Sequence, residues 1–326
     1  MEQVKVWEEY YARFNIDKGQ IRGGCHPRIF SHQGQQENGI VLIHGLTDSP
    51  YFLQEIGEYF HSHMQFNVYI PLLAAHGLKQ PQGMKDASLK AWKEEVLFAV
   101  SEAQKSCKNV SIGGFSTGGS LSVYTALNFP EQIKGGVFLF SAALDLAKEA
   151  GNLFEIILRS PLANIQDYLE DAGFNLARFN PLNFNSFNFN FFNQSDGLID
   201  DSPDGNPYRY SRIDTGAAQQ LSYLIREIEQ LTELPGKKKS LIQPVFAVHS
   251  ESDDIADING VKELIDKSQK AQLFRIGKNF FVPHTSVLLK SIVKSPNGSP
   301  LEPSNPFFDE MMESIYGFAK KYSILK

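Results

Sequence analysis

Residues Asn109–Phe129 read NVSIGGFSTGGSLSVYTALNF. At the centre lies Gly114-Phe115-Ser116-Thr117-Gly118, a G-x-S-x-G pattern, which carries little weight alone because Gly and Ser are common. The flanks add to it. Val110-Ser111-Ile112-Gly113 reads as a short buried strand, and Leu121–Leu127 as a helix ended near Pro130. A strand, a sharp turn with Ser at its tip and a helix form the setting that an exposed nucleophilic Ser requires. The Ser backbone is strained in such a turn, and side chains at Gly114 or Gly118 would collide with the neighbouring strand and helix. The N–H of Thr117, at the helix N-terminus, would point at a developing oxyanion. The same letters also suit an ordinary Gly-rich turn with a surface Ser, so the rest of the chain has to decide.

The chain has 326 residues, enough for one large or two smaller domains. Hydrophobic content of 42% and charged content of 21% fit a globular protein. A net charge of −6 with no basic stripe argues against a nucleic-acid partner. The two cysteines, Cys25 and Cys107, have no context that supports pairing and read as free thiols. Met1–Asp17 carries Glu2, Lys5, Glu8, Glu9 and Arg13 without an apolar stretch, and no run approaches a membrane span. The expected compartment is the cytoplasm, with export by a route lacking a cleaved leader left open. No metal-ligand spacing and no phosphate-binding Gly loop is present, so no cofactor is expected.

In chain order, residues 1–27 read as a helical and loop lead-in, with Trp7, Tyr10, Tyr11 and Phe14 at helical spacing for packing on the body. Ile29–Ser31 and Gly39–His44 suggest consecutive strands. The segment His44-Gly45-Leu46-Thr47-Asp48-Ser49-Pro50 leads into a helix over Tyr51–His63, with Asp48 or Ser49 suited to its cap and Pro50 to its first turn. A strand at Phe66–Leu72 and a helix over Ala87–Ala103 precede the opening stretch, and Gly136–Ser141 reads as a strand buried on both faces. This alternation is the signature of an α/β fold with a mostly parallel sheet. The rhythm breaks between about Leu144 and Ser240. Seven Phe between residues 174 and 192, interleaved with Asn, favour an inserted cap because they need burial somewhere. A helix is expected over Gly216–Leu231. The sheet pattern resumes with a strand at Val245–His249, a helix at Asn259–Lys267 and a strand at Gln272–Ile276. Ser295–Pro306 reads as loop, and Phe307–Lys321 as a closing amphipathic helix. The expected division is a core first part over 1–143, a cap over 144–240 and a core second part over 241–326.

Three segments carry a family resemblance: Ile40–Pro50 (IVLIHGLTDSP), Gly113–Gly119 (GGFSTGG) and Val245–Ala256 (VFAVHSESDDIA). Together they resemble the oxyanion-hole, nucleophile and acid segments of the α/β-hydrolase superfamily. Within it they are similar to the bacterial carboxylesterase and monoacylglycerol-lipase-like group, also labelled serine aminopeptidase-like. The resemblance implies the chain order Ser, acid, His. Ser116 is then the nucleophile. His284, the one histidine after any acid that itself follows a strand beyond the elbow, is the base. Asp253 is the acid on that alignment, with Asp254 and Asp257 as neighbours in contention and Asp145 as an outside candidate. The oxyanion would be held by the N–H groups of Thr117 and Leu46, the latter carried over from the family. Asp48 stands where many members have Gly, and is expected to point away from the oxyanion. His44 and His76 are expected to shape loops. The resemblance implies a serine hydrolase that cleaves short or medium acyl esters or monoacylglycerol-like esters through an acyl-enzyme, a small-molecule acyl ester being its partner. A thioesterase or peptidase using the same triad, or a weakly catalytic binding protein on this fold, are the competing readings.

Overall fold

The computed structural model describes residues 2–80, 84, 87–147, 203–211, 213–233 and 238–325. The Phe/Asn-rich tract at 174–193 lies outside the described residues. Among these residues, seven strands form one sheet: β1 (Arg28–Phe30), β2 (Gln36–Ile43), β3 (Asn67–Ile70), β4 (Cys107–Phe115), β5 (Val137–Phe140), β6 (Val245–Ser250) and β7 (Ala271–Ile276). Their spatial order is β1-β3-β2-β4-β5-β6-β7. Only β1 runs antiparallel, and it pairs with β3 rather than with its sequence neighbour β2. The expectation of two consecutive strands holds along the chain but not in space.

The strand sequences explain why the sheet is buried on both faces. In β2, Val41 and Ile43 enter one apolar cluster while Ile40 and Leu42 enter the other. In β5, Val137 and Leu139 face the first cluster and Phe138 and Phe140 the second; in β6 the same split separates Val245 and Ala247 from Phe246 and Val248. Side chains alternate across a strand, so a continuous apolar run supplies both faces at once. Helices α1 (Glu2–Arg13), α2 (Gln54–Ser62), α3 (Leu89–Ser106), α4 (Thr117–Asn128), α5 (Thr215–Glu233), α6 (Ile258–Asp266) and α7 (Phe308–Lys321) supply the covering layers. The first cluster takes in Trp92 and Val96 of α3, Leu121 and Val123 of α4, and Leu221 and Leu224 of α5. The second takes in Ile56 and Phe60 of α2, and Ile315 and Phe318 of α7. On this face Phe138 meets Phe60 at 5.2 Å between ring centroids, and Phe318 packs edge-on against Phe246. Trp7, Tyr10 and Tyr11 of α1 are buried in a third cluster with Cys25, Leu72 and Phe98. Cys25 and Cys107 are free and buried.

Two local expectations change. The helix placed over Tyr51–His63 opens as a 3-10 turn, Pro50–Leu53, before α2. Ser295–Pro306 is not all loop: β8 (Val293–Lys294) and β9 (Pro300–Glu302) form an antiparallel pair. Asn297-Gly298 makes the turn between them. Gly298 takes a left-handed φ of +89°, and Asn297 Oδ1 accepts a 3.0 Å bond from the Ser299 N–H. That is the Asn-Gly signal of a hairpin, carried by residues that otherwise look like linker.

Two consequences are measurable. Phe138→Ala empties a site with no solvent exposure, and is expected to remove about 3–5 kcal/mol of stability, read as a lower urea midpoint with an unchanged slope. Glu95 of α3 is fully buried, and burial pushes its carboxyl up to about 8 against the opposing bond from the Ala74 N–H. The folded chain therefore keeps a proton that the unfolded chain releases. Stability should fall as pH rises from about 4.5 toward about 8, and Glu95→Gln should flatten that slope. Urea midpoints measured across this range check the sign.

Candidate active site

The first piece of the site is the turn between β4 and α4. Gly114 pairs in register with Ile43 of β2, and α4 begins at once with Thr117. A Cβ on Gly118 would stand 2.0 Å from the Ile43 carbonyl oxygen, and one on Gly114 would stand 2.4 Å from the Gly118 backbone. Neither position accepts a side chain. Between them Ser116 is held at φ 51°, ψ −119°, a conformation that costs a non-Gly residue free energy unless its surroundings enforce it. Those surroundings are backbone bonds. Ser116 N donates to Phe140 O of β5 at 3.1 Å, while its carbonyl accepts from Ser120 N and Ala143 N at 3.2 and 3.1 Å. Ser116 is 6% exposed. Thr117 stands at the first position of α4, where the N–H groups have no intrahelical acceptor.

The second piece is the loop that leaves β2. His44 accepts the Leu73 N–H on Nε2 at 3.0 Å, so its proton sits on Nδ1 and bonds the Gly45 carbonyl at 2.9 Å. Burial holds this ring well below the ordinary imidazole range. His76 Nε2 lies 2.6 Å from the Leu46 carbonyl, and its Nδ1 lies 2.9 Å from the Ala74 carbonyl. Both histidines are thus clamps on the Gly45-Leu46 backbone.

The third piece joins the ends of β6 and β7. Ser250 Oγ donates to Val282 O at 2.7 Å, tying the acid loop to the segment before His284. Asp253 Oδ1 accepts the N–H groups of Ile255 and Ala256, both at 3.0 Å. Its Oδ2 lies 2.6 Å from His284 Nδ1. Burial alone would raise this carboxyl. The charge and hydrogen bond of His284, with His249 and the Ala256 N–H, outweigh burial and hold it below the usual carboxylate range. The competing acids are engaged elsewhere. Asp257 caps α6 through the Asn259 N–H at 2.8 Å. The Asp145 carboxylate turns back on the Leu146 N–H, and Asp254 is exposed.

The structure brings Asp253 and His284 into direct contact. It sets the His284 ring 4.5 Å, centroid to centroid, from Phe115, the residue before Ser116. Among the described contacts the Ser116 hydroxyl has no hydrogen bond to that ring. Ser116, Leu46, Asp253 and His284 all follow the carboxyl ends of parallel strands, the side of an open α/β sheet on which ligands bind.

Of the two residues suited to the cap, Asp48 and Ser49, the structure puts Ser49 at that position. Asp48 turns into the protein, 2% exposed, so close to Gly45 that a Cβ there would meet Asp48 Oδ2 at 2.4 Å. Its Oδ1 lies 3.2 Å from Nη2 of Arg209. Sequence reading passed over Arg209, and also over Glu302, 2.8 Å from Arg209 Nη1. One signal pointed to such a partner: an acid beside the expected oxyanion segment at Leu46 needs a cation. Nothing in spacing says which, because Thr47 and Arg209 are 162 residues apart. His249, at the end of the strand expected over Val245–His249, has its Nε2 3.6 Å from Asp253 Oδ2.

Comparison with known proteins bears on the family and the fold. The alpha/beta hydrolase fold family matches residues 38–284. A thermostable monoacylglycerol lipase from Bacillus sp. (strain H-257) is 25% identical over 115 residues, which are 35% of this chain and 44% of that protein. The match therefore spans less than half of that relative's length. Among solved structures, one reported with the metagenome-derived lipolytic enzymes LipS and LipT superposes with a TM-score of 0.61 at 19% identity, over 93% of this chain and 100% of the other. A soluble variant of the Saccharomyces cerevisiae monoglyceride lipase gives 0.58 at 14% identity, over 91% and 90%. At such identities these likenesses speak for the fold. With a family match across more than half its length, a Ser at the strained strand–helix turn and the Asp–His pair at the same sheet edge, the chain belongs to the alpha/beta hydrolase fold family.

Proposed function

We propose that this protein is a serine hydrolase that cleaves carboxylic esters through an acyl-enzyme, with Ser116, His284 and Asp253 as its triad. The observation that carries the reading is the strained Ser116 turn lying beside a buried His284 whose Nδ1 is 2.6 Å from Asp253. With Nδ1–H committed to the carboxylate, Nε2 of His284 is the free base. It takes the Ser116 proton as Oγ attacks the carbonyl carbon, then returns it to the leaving alcohol. Water repeats the sequence on the acyl-enzyme. Asp253 keeps the tautomer and stabilises the imidazolium. The N–H groups of Thr117 and Leu46 receive the oxyanion, each worth about 3 kcal/mol in the transition state.

The lipases and esterases among the similar proteins support ester chemistry over thioester or amide chemistry. The monoacylglycerol lipase among them makes acylglycerol-like esters a natural first substrate class. Residues 144–240 are proposed as the inserted cap that selects the acyl group. Its last helix, α5, is seated on α3 and α4 through Ala217, Leu221 and Leu224. No helix among the described residues is long and apolar enough to cross a membrane.

Hydrolysis of p-nitrophenyl esters from acetyl to dodecanoyl is the direct assay. Turnover should peak at one chain length and vanish in Ser116→Ala, with a loss on the order of 10⁴–10⁶ in kcat and an unchanged circular dichroism spectrum. Retained ester hydrolysis in that variant sinks the reading, and a kcat/KM preference for acyl-CoA or aminoacyl-arylamide substrates displaces esters. Asp253→Asn should lower kcat by about 10⁴, because the amide no longer fixes the proton on Nδ1. A loss below tenfold would instead move the acid role to another residue.

A further inference from the structure

Arg209 lies in the segment that re-enters the described structure at residue 203, and it is 4% exposed. Its guanidinium reaches two loops of the site at once. Nη2 donates to Thr47 Oγ1 at 3.0 Å and pairs with Asp48 Oδ1 at 3.2 Å, both next to Leu46. Nη1 donates to Thr285 Oγ1 at 2.9 Å, the residue after His284, and to Glu302 Oε1 of β9 at 2.8 Å. The backbone around it is tied to the same loop. Tyr210 N donates to Thr47 O at 2.9 Å, Ser49 Oγ donates to Tyr208 O at 2.7 Å, and Tyr208 stacks on Tyr51 with centroids 3.5 Å apart.

Electrostatics gives this arrangement a consequence for chemistry. The Asp48 carboxylate packs on Gly45, one residue before the proposed oxyanion donor Leu46. A buried negative charge at that place opposes the charge that develops on the substrate oxygen, and it does so in a medium that screens poorly. A guanidinium in contact with it cancels that field. Because its fork is planar and rigid, it also fixes the distance between the two loops it bridges.

We infer that Arg209 is a positioning residue for the proposed ester hydrolysis, locking the Leu46 loop to the His284 loop and cancelling the Asp48 charge behind the oxyanion. The inference rests on the triad reading above. An ion cluster that only holds the fold together would affect stability and folding without depending on the Asp48 charge during turnover.

The test is a double-mutant series assayed with p-nitrophenyl butyrate beside thermal unfolding. R209M should lower kcat by roughly 30-fold or more while KM moves by less than about threefold. In the D48N background the same substitution should cost only about three- to tenfold in kcat, since the charge to be cancelled is gone and only the tie between the loops is lost. Equal losses in both backgrounds, or wild-type kcat in R209M, would overturn the inference. If R209M does not fold, R209K serves. It keeps the charge and loses the fork, and is expected to lose roughly three- to tenfold in kcat, with unchanged kcat counting against the tie. Fluorophosphonate labelling separates this inference from the reading it rests on. A wild type labelled at Ser116, with Arg209 variants labelled at the same rate, refutes the role of Arg209 alone. An unlabelled wild type refutes the triad reading. Hydrogen exchange at residues 45–50 and 284–289 then decides the tie: faster exchange in both segments of the variant is expected, and unchanged exchange in either refutes it.

Discussion

The rest of the site depends on one close approach. The Ile43 carbonyl at the end of β2 stands where a side chain on Gly118 would have to go, so β2, β4 and the start of α4 come together with backbone against backbone. That contact leaves the chain no relaxed path from strand to helix. Ser116 absorbs the turn at φ 51°, and its N–H and carbonyl are bound by Phe140, Ser120 and Ala143. The strain is held by bonds that the sheet and helix make anyway, which is how an unfavourable conformation persists at this candidate nucleophile. The same contact brings the His44-Gly45-Leu46 loop to the mouth of the turn. The two proposed oxyanion donors therefore share one edge of the sheet before any substrate arrives.

Near this edge, buried acids meet different fates. Asp253 receives two backbone N–H groups and a bond from His284, and these outweigh burial to keep it charged. Glu302 is buried next to Arg209 but also feels Asp48, and burial prevails, so its carboxyl is raised. Glu95 has the Ala74 N–H as its one donor among the described contacts, and burial raises its carboxyl to about 8. Identical functional groups thus end in different states according to the donors that each local backbone presents. The neutral histidines follow the same logic. His44 donates to the Gly45 carbonyl and accepts the Leu73 N–H, while the neutral His76 ring lies between the Leu46 and Ala74 carbonyls with one N–H to give, and both serve as struts.

Much of the fold was legible before the structure. Runs such as Gly136–Ser141 carry alternate residues for two faces, which only a doubly covered strand can use. Ser116 was legible because a Gly two residues to either side, between a strand and a helix, has a steric meaning. Asp253 and His284 were legible through order along the chain and the likeness of the Val245–Ala256 segment to a known pattern, and the structure joins these two at 2.6 Å. The β1–β3 pairing was not legible, since strand neighbours in space are chosen by crossover paths that leave no local mark. The β8–β9 hairpin was signalled by Asn297-Gly298 but masked by the polar residues around it.

What the sequence by itself determined is what local rules can express: the period of its strands and helices, the glycines that permit one strained turn, and the order of the candidate Ser, acid and base. What only the tertiary structure decided is where the remaining charges meet. Asp48 looked like a helix cap and is instead a buried anion, because Arg209 arrives from 161 residues further on to face it. No local propensity records such a meeting. It exists because folding removes both groups from water, and an unpaired charge there costs several kcal/mol, a penalty that neither residue carries in the open chain.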